Sequence, residues 1–474
     1  MSGQPSLLES PDRVLSTLEK DGSRRWLYPR LARGRFWRWR MIAAWSLIAV
    51  FTLLPYIQIN GRPAVLLDLV HRRFTLFGYT FLPTDTRLLA VLMVGLVLGI
   101  FCATALLGRL WCGWACPQTV YMEFVFRPME RLLLGRRGTG GRPPADVAIW
   151  RRLILYVGYL AVSFFLAHTF LAYWVGVDQL RTWVFHSPAD HPAAFAVVVA
   201  VTGLMLFDFV YFREQTCIIA CPYGRFQSAL LDRNSLIIAY DPGRGEPRGK
   251  RAAGADSPPV AGRQMPAGDC VDCGLCAAVC PTGIDIRDGL QIECIGCAQC
   301  IDACDGVMAR LKRPPGLVRY TSQAALSGER QRVVRARVLI YAGMVMLLGG
   351  LLGYLVITKS PVDMILIRNI GMPFVMRGEI VENTIKVKLT NRLDRPQELR
   401  IEVPDHPEVT VESASTMIRM APGEVRVEPV RVMVPAERFA GGKLEVKIRV
   451  RGENGLIVDR ECRLLGPVAA KGAS

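Results

Sequence analysis

Histidine is scarce in this chain, with five residues in 474, and only His168 lies within a long apolar run. A haem held by two histidines between membrane helices is therefore hard to build. His186 and His191 share one short loop; solvated loop residues are the plainer reading there and a metal contact the sharper one. Glycine and proline are not in excess and aromatic content is 9%, so neither a fibrous nor a disordered class fits. Acidic residues are the minority charge, 41 against 58 basic, leaving a formal net charge of +17. Such a surplus can signal nucleic acid. Here the Lys and Arg cluster beside apolar runs, where anionic lipid and the insertion machinery act on them, so the expected partner is membrane lipid and not nucleic acid. The first apolar run ends in LPYIQING without a small-residue cleavage site, which makes it a retained anchor and not a signal peptide.

What is present is apolar: 51% hydrophobic residues and a positive mean hydropathy. About 20 apolar residues cross a bilayer as a helix, and 41–58, 88–108, 153–175, 194–212 and 337–357 qualify. Lys plus Arg number 9 in 1–40, 4 in 59–87, 8 in 109–152, 1 in 176–193 and 16 in 213–336. This alternation places the N-terminus, the 109–152 loop and the 213–336 segment in the cytoplasm of a bacterial inner-membrane protein. Residues 358–474 then lie in the periplasm. Their runs IVENTIKVKLTN, ELRIEVP, EVRVEPVRVMV and LEVKIRVRG alternate with period two, separated by APGE and GENG, and predict an immunoglobulin-like β-sandwich. Cys462 is the only cysteine there, so no internal disulfide is available and a strand residue is the expected role. The organisation expected is a basic segment 1–40, four transmembrane helices in 41–240, a Pro/Gly/Arg-rich linker 241–269, a cluster module 270–315, the fifth helix 337–357 and the sandwich 358–474.

Fourteen cysteines are spaced for metal and not for disulfides. Cys270-VD-Cys273-GL-Cys276-AAV-Cys280-Pro281 is the C-x2-C-x2-C-x3-C-P run of a bacterial two-[4Fe–4S] ferredoxin. It repeats as Cys294, Cys297, Cys300 and Cys304, with Asp305 in place of proline. The fourth cysteine of each run reaches the other cluster, so one cluster is expected on Cys270, Cys273, Cys276 and Cys304. The other is expected on Cys294, Cys297, Cys300 and Cys280. The paired spacing of zinc sites is absent. Asp288-Gly289 between alternating residues predicts a hairpin joining the runs; the module is α+β.

Two more pairs, Cys112-GWA-Cys116-Pro117 and Cys217-IIA-Cys221-Pro222, end the second and fourth spans, 105 residues apart, and suggest an internal duplication. On a continuing helix each pair would present two sulfurs on one face, and the following proline would end the helix. Four thiols meeting there select Cu(I), zinc or an iron–sulfur centre; ordinary packing of small residues is one alternative and a disulfide, disfavoured on the cytoplasmic side, the other. Cys102 lies off that face and reads as packing. Met364, Met372 and Met376, after the last span, are either packing or contacts for exported copper.

INGRPAVLLDLVHRRFTLFG, RLWCGWACPQTVYMEF, REQTCIIACPYGRFQSALLDR, YDPGRGEPRGK, the double cysteine run and KSPVDMILIRN together resemble the FixG/CcoG/RdxA family of accessory proteins for cbb3-type cytochrome c oxidase. That resemblance implies five spans, two [4Fe–4S] clusters, an outer immunoglobulin-like domain and a cupric reductase (an oxidoreductase whose substrate is copper) serving the oxidase or its copper-assembly factors. The eight cluster cysteines and the four CxxxCP cysteines (Cys112, Cys116, Cys217, Cys221) carry over, the latter as the reducing site. A cytosolic electron donor is implied and not named. A quinol-linked relay and a non-enzymatic assembly scaffold are the alternatives.

Overall fold

A computed structural model describes residues 16–18, 23–59, 61–70, 73–77, 79–81, 85–135, 147–249, 268–332, 334–358, 360–368, 372–393, 395–413, 417–439, 441–452 and 455–467. Most of the expected linker, part of the N-terminal segment and the last seven residues therefore lie outside the described residues. Among the described residues five helices are long and apolar enough to cross a membrane: Arg35–Tyr56, Thr86–Leu107, Ile149–Val175, Pro192–Phe212 and Ala336–Ile357. Side chains such as Trp45, Leu96, Phe164, Val199 and Leu347 stay more than half exposed on them. At about 25 cal/mol per Å² of apolar surface, such faces require lipid. The first and third helices start several residues before their apolar runs, because Arg35, Arg38 and Arg151 add charged turns that long side chains tolerate at a membrane border.

The chain divides into two units, residues 1–77 with 82–352 and residues 78–81 with 353–474. In the first unit, the two cysteine runs are framed by a two-stranded antiparallel sheet, Ile237–Tyr240 against Val318–Thr321. The expected hairpin at Asp288-Gly289 does not form. Asp285 caps a 3₁₀ turn, Ile286–Asp288, by accepting from the Arg287 amide, and Gly289 adopts φ 94°, ψ −162°, which is not hairpin-turn geometry. Arg287 also pairs with both Asp285 and Asp272. Nor is the start of the expected linker free chain. Arg244 binds Asp269 at 2.7 Å and the Pro315 carbonyl at 2.9 Å, and the Gly249 amide donates to the Cys270 carbonyl at 3.1 Å. Residues 241–249 thus belong to the cluster module.

The segment before the first span is fastened to that module. The Arg30 amide donates to the Ala278 carbonyl at 2.9 Å, and the Ala32 amide to Gln299 Oε1 at 3.3 Å. Asp302 accepts from the amides of Phe36 at 3.0 Å and Trp37 at 2.7 Å, supplying the acceptor that the first turn of a helix lacks.

The second unit is a two-sheet sandwich. One sheet runs Thr410–Ser413, Val425–Pro435, Ile380–Asn391, Val362–Arg368, with Val375–Arg377 also on Ile380–Asn391; the other runs Ile418–Met420, Gln397–Glu402, Lys443–Gly452, Ile457–Leu465. The period-two pattern fills its core: Val381, Ile385, Val387 and Leu389 face Val430, Val432 and Val434, with Val446, Ile448 and Val450 from the other sheet. Cys462 is half-buried opposite Val446 against this core. Met364 is buried in it too, whereas Met372 and Met376 are exposed.

Candidate iron–sulfur and thiol centre

Both cysteine runs bend the same way. Asp272 and Gly274, on either side of Cys273, have φ of 51° and 67°, and Gly296 and Ala298, on either side of Cys297, have 68° and 61°. Two left-handed residues around a middle cysteine curl three thiols toward one point, and the second of them starts a helix, Leu275–Ala278 or Gln299–Arg310. Cys270, Cys273, Cys276 and Cys304 line one cavity, and Cys280, Cys294, Cys297 and Cys300 line another, with Cys276 between the two. Among the described residues no three potential ligands converge on a point tightly enough for a single metal ion. A cubane takes one thiolate at each of its four irons, at separate corners, and at least four cysteines line each of these cavities. Burial pushes the Cys276 and Cys297 thiols up to about 12. An all-sulfur, cavity-lining donor set, with Cys270, Cys276, Cys297 and Cys300 buried and Cys273 exposed, fits a [4Fe–4S] group in each place.

The CxxxCP pairs depart from the expected continuous helix. Cys112 lies in a short helix, Leu110–Trp114, while Cys116 is extended (φ −63°, ψ 127°) and precedes a new helix, Pro117–Tyr121. Cys217 lies in a π-helical turn, Thr216–Ala220, and Cys221 is again extended (φ −73°, ψ 111°) before Pro222–Leu230. In both copies the second cysteine's amide reaches back five residues, to Trp111 at 2.9 Å and Thr216 at 2.8 Å. The proline is the cause. It forces extended backbone on the residue before it and suits the first position of a helix. Each pair therefore straddles a break, and the second sulfur sits at a fresh helix start.

The two copies lie within electrostatic reach of each other. The Cys217 thiol is pushed up to about 12, by burial first and then by neighbouring Cys116, Cys112 and Cys221. Cys112 is raised to about 11 by burial, against the pull of Arg109. Each motif is held by a side chain from the other: Cys112 donates to Gln227 Oε1 at 3.0 Å, while Gln118 Nε2 donates to Asp208 at 3.1 Å and to the Arg213 carbonyl at 3.0 Å. Asp208 also accepts from Thr216. Sequence reading missed Gln118, Asp208 and Gln227; only Asp208, a carboxylate inside the apolar run LMLFDFVYF, carried a signal.

The second cluster loop rests directly on the first thiol motif. Cys112, Ile295 and Cys297 form one buried group with Tyr223. A Cβ on Gly113 would meet the Ile295 carbonyl at 2.6 Å and the Cys297 backbone at 2.8 Å. Arg40 donates to the Gly113 carbonyl at 2.9 Å, and Trp114 Nε1 to the Tyr320 hydroxyl at 3.1 Å, which donates onward to the Gly296 carbonyl at 2.7 Å.

Comparison with known proteins accords with this architecture. A model of a 4Fe-4S dicluster domain matches residues 212–323, a 4Fe-4S binding domain matches 89–139, and the IG-like fold at the C-terminus of FixG matches 352–467. The nitrogen fixation protein FixG of Rhizobium meliloti is 32% identical, covering 88% of this chain and 88% of that protein. The chain belongs to the FixG family. Protein RdxA of Cereibacter sphaeroides is 33% identical over 80% of this chain and 82% of its own length. The crystal structure of a FixG-related protein from Vibrio parahaemolyticus aligns with 23% of this chain and all of its own, at 23% identity and a TM-score of 0.22. The chain is thus a membrane iron–sulfur protein of an electron-transfer family.

In this FixG-family chain a buried charge network, unforeseen from sequence, underlies the thiols and the module. Arg127 pairs with Glu123 and, at 3.2 Å, with Glu214, and donates to the Pro281 carbonyl at 3.3 Å. Arg213, itself in the left-handed region at φ 54°, pairs with Glu130. All five side chains are less than a tenth exposed. Burial alone would push the Glu130 carboxyl up, but Arg213 holds it below the usual carboxylate range. The histidines stand apart: His168 bonds the Phe164 carbonyl within its own helix, His186 the Thr182 carbonyl, and His191 stacks on Trp183.

Proposed function

We propose that this FixG-family protein carries electrons from two [4Fe–4S] clusters to Cu(II) bound at its four CxxxCP thiols, releasing Cu(I) for assembly of a cbb3-type cytochrome c oxidase. Cys270, Cys273, Cys276 and Cys304 would hold one cluster and Cys280, Cys294, Cys297 and Cys300 the other. When bound, the clusters supply one-electron transfer. The observation that carries the reading is the contact of Cys112 with Cys297 and Ile295, closed by Gly113, which leaves no solvent layer between the cluster loop and the thiols. The residues around the thiols hold and orient them: Gln227 fixes Cys112, Gln118 ties the two motifs, and burial keeps water from competing for copper. Soft thiolates favour Cu(I) over Cu(II), so binding there makes reduction more favourable.

Anaerobically purified protein is expected to hold about eight irons per chain, four for each cubane. Cys297→Ser should lose about half of them, together with one low-temperature EPR signal; two zincs and no iron would overturn the cluster reading. Dithionite-reduced protein, freed of excess reductant and given Cu(II) with a Cu(I) chelator, should form the coloured Cu(I) complex as the clusters reoxidise. Absence of that complex would leave an electron carrier without copper as its substrate.

The alternating basic loops support a cytoplasmic module and a periplasmic sandwich. Reporter enzymes fused within 241–249 and after residue 467 should therefore report opposite compartments. The same compartment at both sites would mean that the number of spans between them is even.

A further inference from the structure

A cavity of about 590 Å³ opens beside the second cluster loop, and nothing in the copper chemistry uses it. Its volume falls within the range of small-molecule sites. Most of its wall is aliphatic, including Leu107, Leu231, Leu236, Leu290 and Ile292. Leu107 is the last residue of the second span. Asp232, also in the wall, pairs with Arg335, which donates to the Ala105 carbonyl and immediately precedes the fifth span. The cavity therefore lies where two membrane helices end, at the level of the membrane surface, with an apolar side that an isoprenoid tail could follow.

Its remaining wall is chemical. Cys294, assigned above to the second cluster, lines it, as do Arg109, Gln291, Gln323 and Tyr320. Arg109 is 8% exposed and its guanidinium acts on the Cys112 thiol, while its Nε and Nη1 have no acceptor in hydrogen-bond geometry among the described residues. A buried donor without an acceptor costs about 1–3 kcal/mol, more when charged, and a ligand oxygen would relieve that cost. The Tyr320 hydroxyl and the Gln291 amide already donate to the Gly296 and Asp285 carbonyls, so a phospholipid tail would use the aliphatic wall and leave the two Arg109 donors without an acceptor. A flat ring with an oxygen at each end and an aliphatic tail uses both.

We infer that this pocket binds a hydroquinone of the membrane, which donates the electrons. The inference rests on the copper reading for its terminal acceptor only. Oxidation of one hydroquinone breaks two O–H bonds and yields the quinone, two protons and two electrons. The protons pass to water at the mouth of the pocket. Cys294 would help to hold the cluster that accepts these electrons one at a time, and two Cu(II) would be the terminal acceptors, becoming two Cu(I).

The test uses the full-length, iron-loaded protein in detergent and a short-chain benzoquinone bearing a photoreactive azide. Labelling is expected on peptides spanning 231–238 or 290–296, competed by unlabelled decyl-benzoquinone and not by phospholipid. Leu231→Trp, which fills the cavity, and Gln323→Leu, which removes a polar group, should each reduce labelling at least tenfold with iron at the wild-type level. Should Leu231→Trp lose iron, Gln323→Leu carries the comparison. Labelling elsewhere, unchanged labelling in the iron-replete variants, or equal competition by phospholipid would overturn the pocket. The two readings separate cleanly. Labelling in the pocket without Cu(I) formation from dithionite-reduced protein would sink copper and keep the quinone site; Cu(I) formation without labelling would do the reverse.

Discussion

Serine at Cys112, Cys116, Cys217 and Cys221 together is expected to bring Cu(II) reduction by dithionite-reduced protein down to the rate of buffer, while iron content and both cluster EPR signals stay at the wild-type level. Serine is close to cysteine in size and keeps a hydrogen for Gln227, which now receives one from Cys112 at 3.0 Å. The broken helices and the contact with Ile295 and Cys297 therefore need not move. What changes is softness: a hydroxyl oxygen has none of the thiolate preference for Cu(I). Pairwise variants should fall nearly as far, because the proposed site draws two sulfurs from each motif and either pair alone leaves it half built. A chelator assay of the quadruple variant at wild-type speed would place copper elsewhere and reduce these thiols to packing.

Arg213→Met is expected to destabilise the membrane unit by about 3–5 kcal/mol, the usual cost of removing one partner of a buried ion pair. The loss would appear as a lower midpoint in thermal unfolding of the detergent-solubilised protein. Methionine fills most of the space, so the deficit comes from Glu130, left buried with a negative charge and without its main partner. A double variant, Arg213→Met with Glu130→Gln, should recover a large part of it, because the orphaned charge goes too. If the single variant unfolds at the wild-type midpoint, the carboxylate has found water and the site is wetter than the structure implies. No net energy follows from the intact network, since such pairs often only break even against apolar replacements.

Much of this architecture was legible because its signals are periodic. Period-two alternation in 380–391 and 425–435 placed Val381, Ile385, Val430 and Val432 on one inner face, and the three-residue spacing of cysteines announced the cluster loops. The failures were local competitions. Asp288-Gly289 reads as a hairpin, but Asp285 and Arg287 close a 3₁₀ turn first, and the module takes its short sheet from 237–240 and 318–321, four-residue strands distant in sequence. Cys-x3-Cys reads as one helical face until the proline's effect on Cys116 and Cys221 is followed to its end, a break with a second helix behind it. The Arg213–Glu130 pair was not legible at all, since nothing in a single sequence says which two charges will meet out of water. Gly113 was hidden similarly: only the Cys297 backbone above it explains why a side chain there has no room.

Asp302 has a bearing on how the molecule is made. The first span leaves the ribosome early, yet the carboxylate that accepts from its opening amides at Phe36 and Trp37 lies 266 and 265 residues further along the chain. Until that stretch is synthesised and has wound its cysteine helix, the start of the first membrane helix must turn to water or lipid headgroups for its acceptors. The start of the first span thus gains these two acceptors only after residue 302 has been made. A chain that fails to load its metal sites would leave this end loose, offering proteases a handle on defective copies close to the membrane surface.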